Sequence, residues 1–152
     1  MRRYYCEGFN SANSLIANSL GERNKIAASI YTYNTLTYAL IVGLVITFLG
    51  LFFSYDLLKF MGSNQESIML AKQYTDIIFS GTLIFLILTA LNASLYAQGD
   101  TKTYRNVLIV GLIFNIILNP IFIFGFLFIP AFGVAGLAIS TVLIQLAGCI
   151  YL

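Results

Sequence analysis

Charged side chains are scarce in this 152-residue sequence, which has eight Lys and Arg residues, six Asp and Glu residues and a net charge of +2. They make up 9% of the chain, whereas hydrophobic residues make up 59% and the mean hydropathy is +0.88. In soluble domains about a quarter of the residues are charged. So few charges cannot cover the surface of a water-soluble fold, and the composition therefore predicts a membrane protein.

Groups with catalytic or metal-binding chemistry are also rare. The sequence has no histidine, which is the commonest metal ligand and a frequent general base at neutral pH. Its two cysteines, Cys6 and Cys149, lie at opposite ends and fit no metal or disulfide spacing. No carboxylate pair, nucleophile–base pair or glycine-rich phosphate loop is present. We therefore expect no enzyme, no bound metal and no other cofactor, and the lack of a basic run argues against nucleic acid as a partner.

The few charges divide the sequence into uncharged runs of 30, 23 and 47 residues, at 26–55, 77–99 and 106–152. A helix needs about 20 residues to cross the hydrocarbon, so the runs predict one, one and two crossings, the last two joined by a turn around Pro130. Continuous apolar runs argue against barrel strands, which alternate. The predicted fold is all-α, a polytopic membrane helix bundle in one transmembrane domain, residues 1–152. Its four full helices are predicted at about 33–53, 73–98, 104–124 and 133–151.

A partial helix is predicted at about residues 5–20, where Asn, Ser and Ala predominate. This polar segment could line a cavity within the bundle or lie at the membrane surface. The first alternative fits better, because surface helices usually carry a basic face and large apolar anchors. The residues after Met1 are too polar for a cleavable signal peptide.

The orientation follows from the basic residues of the loops. Loops 21–25 and 99–105 lie on the same side of the membrane by parity and carry four basic residues, against two on the opposite side. The positive-inside rule places both loops in the cytoplasm of a multi-pass protein of the cell membrane.

Two asparagines and a proline interrupt the longest apolar run, in the stretch NIILNP. Asn115 and Asn119 are four residues apart and share one helical face. Pro120 predicts a kink, since it cannot donate a backbone hydrogen bond and frees the carbonyl of Ile116. These oxygens could bind sodium or a polar substrate at a broken helix. Alternatively, the asparagines hydrogen-bond neighbouring helices and serve packing alone, and spacing by itself slightly favours this interpretation.

Other polar or small residues favour packing and interface roles. The segment GVAGLAIST, residues 133–141, lets helix backbones approach closely, and its Thr141 could also offer a hydroxyl. Tyr74 and Asp76 stand at the entrance to the second predicted full helix, where Asp76 is expected to pair with Lys72 four residues earlier. Asn92, near the other end of that helix, is expected to serve packing.

Several of these motifs, in this order, resemble the MATE (multidrug and toxic compound extrusion) family. The resemblance rests on LNASLYAQGDTKTYRNVLIVGLIFNIILNPIFIFG, on the following proline and GVAGLAISTVLIQ, and on SLIANSLGERN upstream. It implies an incomplete N-terminal lobe, from the end of helix two to helix six of a twelve-helix transporter with two lobes. The start at Met1 is then expected to be artificial, with helix one and the second lobe outside this chain.

The resemblance also implies which residues form a cation or substrate site. It assigns this role to Asn115, Asn119 and Thr141, and to Tyr74 by a weaker match. Many members of the family have Asp at the position of Asn119. Because an amide does not take up a proton, binding of sodium or substrate is expected there rather than a proton switch.

The function implied is secondary active efflux of multiple drugs or organic cations, coupled to a proton or sodium gradient. The expected partners are the lipid bilayer, a small, organic, cationic substrate and the remainder of the transporter. Two alternatives remain: a lipid-linked oligosaccharide flippase of the same superfamily, or a truncated membrane remnant that transports nothing. Flippases tend to carry basic residues in the cavity, and the predicted spans have none.

Overall fold

The computed structural model describes residues 8–60, 64–125 and 130–152. Within these ranges the chain forms five α-helices and no strand: α1 Gly8–Gly21, α2 Lys25–Phe60, α3 Gln65–Ala97, α4 Thr101–Phe124 and α5 Val134–Tyr151. The last four helices are each long and apolar enough to cross a membrane. The predicted all-α bundle of four full helices and a shorter N-terminal helix is therefore confirmed. Residues 5–7 of the predicted first helix, and 126–129 of the predicted turn, lie outside the described residues.

The helices α2 and α3 are longer than the predicted 33–53 and 73–98. Uncharged runs indicate the depth of the hydrocarbon, whereas a helix ends only where its backbone is capped or broken. At the start of α2, the side-chain Oδ1 of Asn24 accepts a hydrogen bond of 3.0 Å from the backbone N–H of Ala27. With 36 residues, α2 is about 54 Å long, against about 30 Å of hydrocarbon. Unless they tilt strongly, α2 and α3 therefore extend beyond the hydrocarbon.

The longer α3 changes the position of Asp76, which was predicted at the entrance to its helix. Asp76 instead lies about three turns after the first residue of α3, Gln65. Its Oδ2 forms the expected ion pair with Lys72, and its Oδ1 accepts a 2.8 Å hydrogen bond from the hydroxyl of Ser54 on α2. Because Ser54 is buried, this carboxylate joins α2 to α3 rather than only marking a helix end.

Small residues allow the helices to pack closely. Gly43 of α2 contacts Leu83 of α3, and Gly81 of α3 contacts Val142 of α5. In α5 the buried residues are Gly136, Ala138, Ser140 and Gly148, which confirms the predicted packing role of the segment 133–141. The helices α2 and α3 form an antiparallel pair, α5 packs between α3 and α4, and α4 contacts mainly α5.

The first helix packs within the bundle, against α2 and α3. Its Ile16 and Ser19 are buried. A cavity of about 290 Å³ lies between α1, α2 and the end of α3, lined by residues that include Ile16, Thr32 and Gln98. The structure thus places this segment against α2 and α3, with the apolar Ile16 and Leu20 of α1 at the pocket, and a cavity lined by its polar face stays a prediction.

A carboxylate caps the start of α4. One side-chain oxygen of Asp100 accepts hydrogen bonds from the backbone N–H groups of Lys102 (3.1 Å) and Thr103 (3.0 Å). The other accepts a 2.6 Å hydrogen bond from the hydroxyl of Thr103. These bonds hold the pKa of Asp100 below its ordinary value, and the bond from the Thr103 hydroxyl has the largest effect.

This cap makes the start of α4 sensitive to acid. Since the folded pKa of Asp100 lies below the unfolded one, its stabilising contribution is fully present above the unfolded pKa and lost as the pH falls through the folded value. Protection of the Lys102 and Thr103 amides against hydrogen exchange is expected to follow that loss. Thr103→Val removes the hydroxyl bond and is expected to move the loss to higher pH. Identical pH profiles for the variant and the parent would contradict this role of the hydroxyl.

Candidate cation- and substrate-binding site

Two amides on one face of α4 are in direct contact. The Nδ2 of Asn119 donates a hydrogen bond of 2.6 Å to the Oδ1 of Asn115, as their spacing of four residues allows. Both residues are half-buried on a helix that has no fully buried residue. The pair therefore forms a polar strip within the otherwise apolar stretch 107–124 of α4.

A third polar group reaches this strip from α5. The hydroxyl of Ser140, which is 0% exposed, donates to the Oδ1 of Asn119. The same hydroxyl lies 3.0 Å from the backbone carbonyl of Leu137. A hydroxyl has one proton, so it donates to only one of these oxygens at a time. Ser140, Asn119 and Asn115 thus form a hydrogen-bonded network across two helices, which we call the amide network.

A close contact between the backbones of α4 and α5 sets the geometry of the amide network. A Cβ atom at Gly136 would lie 2.5 Å from the carbonyl oxygen of Phe122. Gly136 is one turn from Ser140, and Phe122 is one turn from Asn119, so this glycine allows the two polar groups to meet. Just before α5, the backbone N–H of Phe132 donates a hydrogen bond of 3.0 Å to the same carbonyl of Phe122.

The chemistry of the amide network is that of neutral oxygens. Pro120 lies inside α4, and because it has no N–H, the carbonyl of Ile116 one turn earlier lacks its helical partner. Amide, hydroxyl and carbonyl oxygens can coordinate a hard cation such as sodium or accept hydrogen bonds from a polar substrate. None of these groups takes up a proton at neutral pH.

The other two predicted site residues are not hydrogen-bonded to the asparagines in the described part of the chain. Thr141 follows Ser140, but its hydroxyl donates to the carbonyl of Leu137 on its own helix (2.8 Å). Tyr74 lies on α3, seven residues and about 10 Å along the axis from Gly81, which packs against α5. The structure therefore brings Asn115 and Asn119 together, and the α5 hydroxyl that contacts them belongs to Ser140.

The sequence patterns assign two polar residues, Ser140 and Asn92, to helix packing, and the structure gives each of them a further feature. Ser140 was counted among the small residues of α5, although its spacing of four from Gly136 places it on the face that meets α4. Asn92 of α3 was assigned to packing, yet its Oδ1 is buried without a hydrogen-bond partner among the described residues. An acceptor buried without a partner lowers the stability of the fold. The sequence alone does not show that this oxygen is buried in that way.

Comparisons with known proteins agree with the motifs. The model of the MatE family matches residues 8–121. The probable multidrug resistance protein YoeA of Bacillus subtilis is 31% identical over 141 residues, which are 92% of this chain and 30% of YoeA. A FAD transporter of Shewanella oneidensis is 28% identical over 80% of this chain and 27% of its own length.

A solved structure supports the same relationship. The inward-facing conformation of a multidrug resistance MATE family transporter of the MOP superfamily superposes with a TM-score of 0.85 at 30% identity, over 92% of this chain and 31% of that one. The chain thus spans about 30% of the length of the curated relatives it matches. With its motifs, its helices and these matches in agreement, the chain belongs to the MATE family and is a multi-pass membrane protein.

Proposed function

We propose that this chain takes part in secondary active efflux of multiple drugs or organic cations, as an antiporter driven by a sodium or proton gradient. The amide network supports the proposal, because it presents neutral oxygens next to Pro120 inside a membrane helix. In this role Asn115 and Asn119 bind a cation or a polar substrate, with Thr141 and Tyr74 as further contributors. The chain works together with the additional helices that full-length relatives possess, and acts as a transporter rather than an enzyme.

A second candidate substrate class follows from one relative, the FAD transporter of Shewanella oneidensis. FAD carries phosphates, and binding phosphates in a membrane ordinarily requires Lys or Arg. The runs 26–55, 77–99 and 106–152 contain neither. An anionic substrate, or a lipid-linked oligosaccharide, would therefore need its basic contacts from elsewhere, and we favour a cationic or neutral compound.

The proposed role of Asn115 can be tested by efflux. Residues 8–152 are placed into the matching segment of YoeA, and this protein, the efflux chimera, is expressed in cells that lack their own multidrug exporters. Asn115→Ala removes an oxygen that would contact the bound cation, so the initial rate of ethidium efflux per inserted molecule is expected to fall roughly tenfold.

The matched control is Asn34→Ala, which removes the same amide from an exposed position on α2. It is expected to leave both efflux and membrane abundance unchanged. If Asn115→Ala also exported ethidium at the parent rate, Asn115 would be a packing residue and the site would not be the one proposed.

A further inference from the structure

Ser140 lies at the buried end of the amide network, and its hydroxyl has two acceptors within reach. It donates to the Oδ1 of Asn119, and the backbone carbonyl oxygen of Leu137 lies 3.0 Å from the hydroxyl oxygen. The carbonyl of Leu137 already accepts a hydrogen bond of 2.8 Å from the hydroxyl of Thr141. A carbonyl oxygen has two lone pairs, and one of them serves the helix. Asn119 is therefore the better acceptor for the single proton of Ser140.

The two amides give the network a direction. An amide carries an acceptor oxygen and a donor NH₂ group, and a rotation of 180° about its terminal bond exchanges them. In the structure the Oδ1 of Asn119 faces Ser140, and the Oδ1 of Asn115 faces Asn119. Each oxygen accepts one of these hydrogen bonds and keeps a second lone pair. Both amide oxygens thus face the same end of the network, toward α5.

Reversal of this direction is disfavoured by the hydroxyl of Ser140. Rotation of one amide alone would bring two oxygens, or two NH₂ groups, face to face between Asn115 and Asn119. If both amides rotated, the NH₂ group of Asn119 would face Ser140, whose proton would have to turn to the occupied carbonyl of Leu137. Ser140 is 0% exposed, so solvent offers its proton no other acceptor. The observed direction is therefore the stable one.

The position of Ser140 is itself fixed by the backbone at the seam between α4 and α5. One turn before Ser140, a Cβ atom at Gly136 would lie 2.5 Å from the carbonyl oxygen of Phe122. A donor held by so close a contact keeps Asn119 in one orientation before a ligand binds. Such preorganisation lowers the entropy that is lost on binding. Ser140 can therefore affect the affinity for a ligand without contacting it.

We propose that Ser140 is a positioning residue of the cation site, whose hydroxyl fixes the direction of the amides so that the oxygens of Asn115 and Asn119 face a bound sodium ion together. The inference rests on the proposed function, in which these asparagines bind the coupling cation. Without the hydroxyl, each direction of the network keeps one hydrogen bond, and the two become about equally populated. The affinity for sodium then falls about twofold from the population alone, and further because Asn119 must be immobilised on binding.

The test compares the efflux chimera with its Ser140→Ala variant. The initial rate of ethidium efflux per inserted molecule is measured against the external sodium concentration. Ser140→Ala is expected to raise the half-saturating sodium concentration roughly fivefold and to leave the rate at saturating sodium near that of the parent. The matched control is Ser80→Ala, which removes an exposed hydroxyl that likewise contacts the carbonyl three residues earlier. Its half-saturating concentration is expected to equal that of the parent.

A second comparison separates positioning from packing. A carboxylate presents the same two oxygens after a rotation of 180°, so Asn119→Asp needs no hydroxyl to set its direction. The measurement is made at alkaline pH, where this carboxylate is ionised. Adding Ser140→Ala to Asn119→Asp is then expected to change the half-saturating sodium concentration less than about twofold. A packing role of Ser140 would give the same change in both backgrounds.

Three results would each overturn the positioning role. They are an unchanged half-saturating sodium concentration in Ser140→Ala, equal changes in the two backgrounds, and efflux by the parent that does not respond to sodium. Asn115→Ala, measured in parallel, tests the proposed function separately. If Asn115→Ala lowers efflux while Ser140→Ala keeps the sodium dependence of the parent, the binding site remains supported and only the role of Ser140 fails. If Asn115→Ala exports ethidium at the parent rate, both fail.

Discussion

Replacing Gly136 with alanine is expected to destabilise the chain, although a Gly→Ala change inside a helix ordinarily stabilises by about 1 kcal/mol. The new Cβ would lie 2.5 Å from the carbonyl oxygen and 2.7 Å from the carbonyl carbon of Phe122. Both are backbone atoms and cannot rotate away, so α4 and α5 must move apart. We expect the free energy of unfolding to fall by about 1–3 kcal/mol.

A second glycine at the same seam provides the control. A Cβ at Gly111 would lie 3.1 Å from a methyl group of Ile144, which can shift by a few tenths of an ångström. Gly111→Ala is therefore expected to be neutral or slightly stabilising. Unfolding of the purified chain in detergent measures both variants. Equal destabilisation by the two would show that the backbone contact at Phe122 has no special role.

The same contact explains why Ser140 could not be identified from the sequence. The pattern GVAGLAIST indicates close packing but does not state which side of α5 meets α4. That side is fixed by Gly136 against the backbone of Phe122, and it turns Ser140, not Thr141, toward Asn119. Adjacent residues point about 100° apart around a helix. The small-residue pattern alone does not show which of the two adjacent hydroxyls faces α4.

Other parts of the structure could be predicted because their physical signals are local. The distribution of charged residues along the sequence predicts the number and order of the membrane helices. The spacing of four residues predicts that Asn115 and Asn119 lie on one face of their helix. Both ends of α2 and the start of α3 lie further out than predicted, because hydrophobicity indicates the membrane boundary and not the end of a helix, whereas the end of α3 at Ala97 agrees with the prediction. The role of Asp76 depended on that boundary, and its bond to Ser54 is a tertiary contact that no local pattern encodes.

Asn119→Leu is expected to have the largest effect on transport. Asn119 is the central member of the amide network: it donates to Asn115 and accepts from Ser140. Leucine has a similar volume and removes both bonds together with the oxygen. If that oxygen contacts the bound cation, its loss costs about 1.5–3 kcal/mol of binding, so efflux should fall roughly tenfold to hundredfold.

The alternative interpretation, in which the amides serve packing alone, predicts another outcome for the same variant. Hydrogen bonds between membrane helices contribute about 0.6 kcal/mol on average and at most about 1.7 kcal/mol. Stability would then change slightly and efflux not at all. Asn119→Asp is the informative companion, because its carboxylate still accepts from Ser140 and keeps an oxygen at the site. We expect this variant to retain efflux and to acquire a dependence on pH.

The central claim, that the amide network binds the transported species, is tested most directly by the initial rate of ethidium efflux per inserted molecule. The rate is measured for the efflux chimera carrying Asn119→Leu and for its parent, together with their free energies of unfolding. Our account predicts a loss of efflux of roughly tenfold or more, with a change in unfolding free energy below about 1.7 kcal/mol. Efflux equal to that of the parent would contradict it and assign Asn115, Asn119 and Ser140 to helix packing.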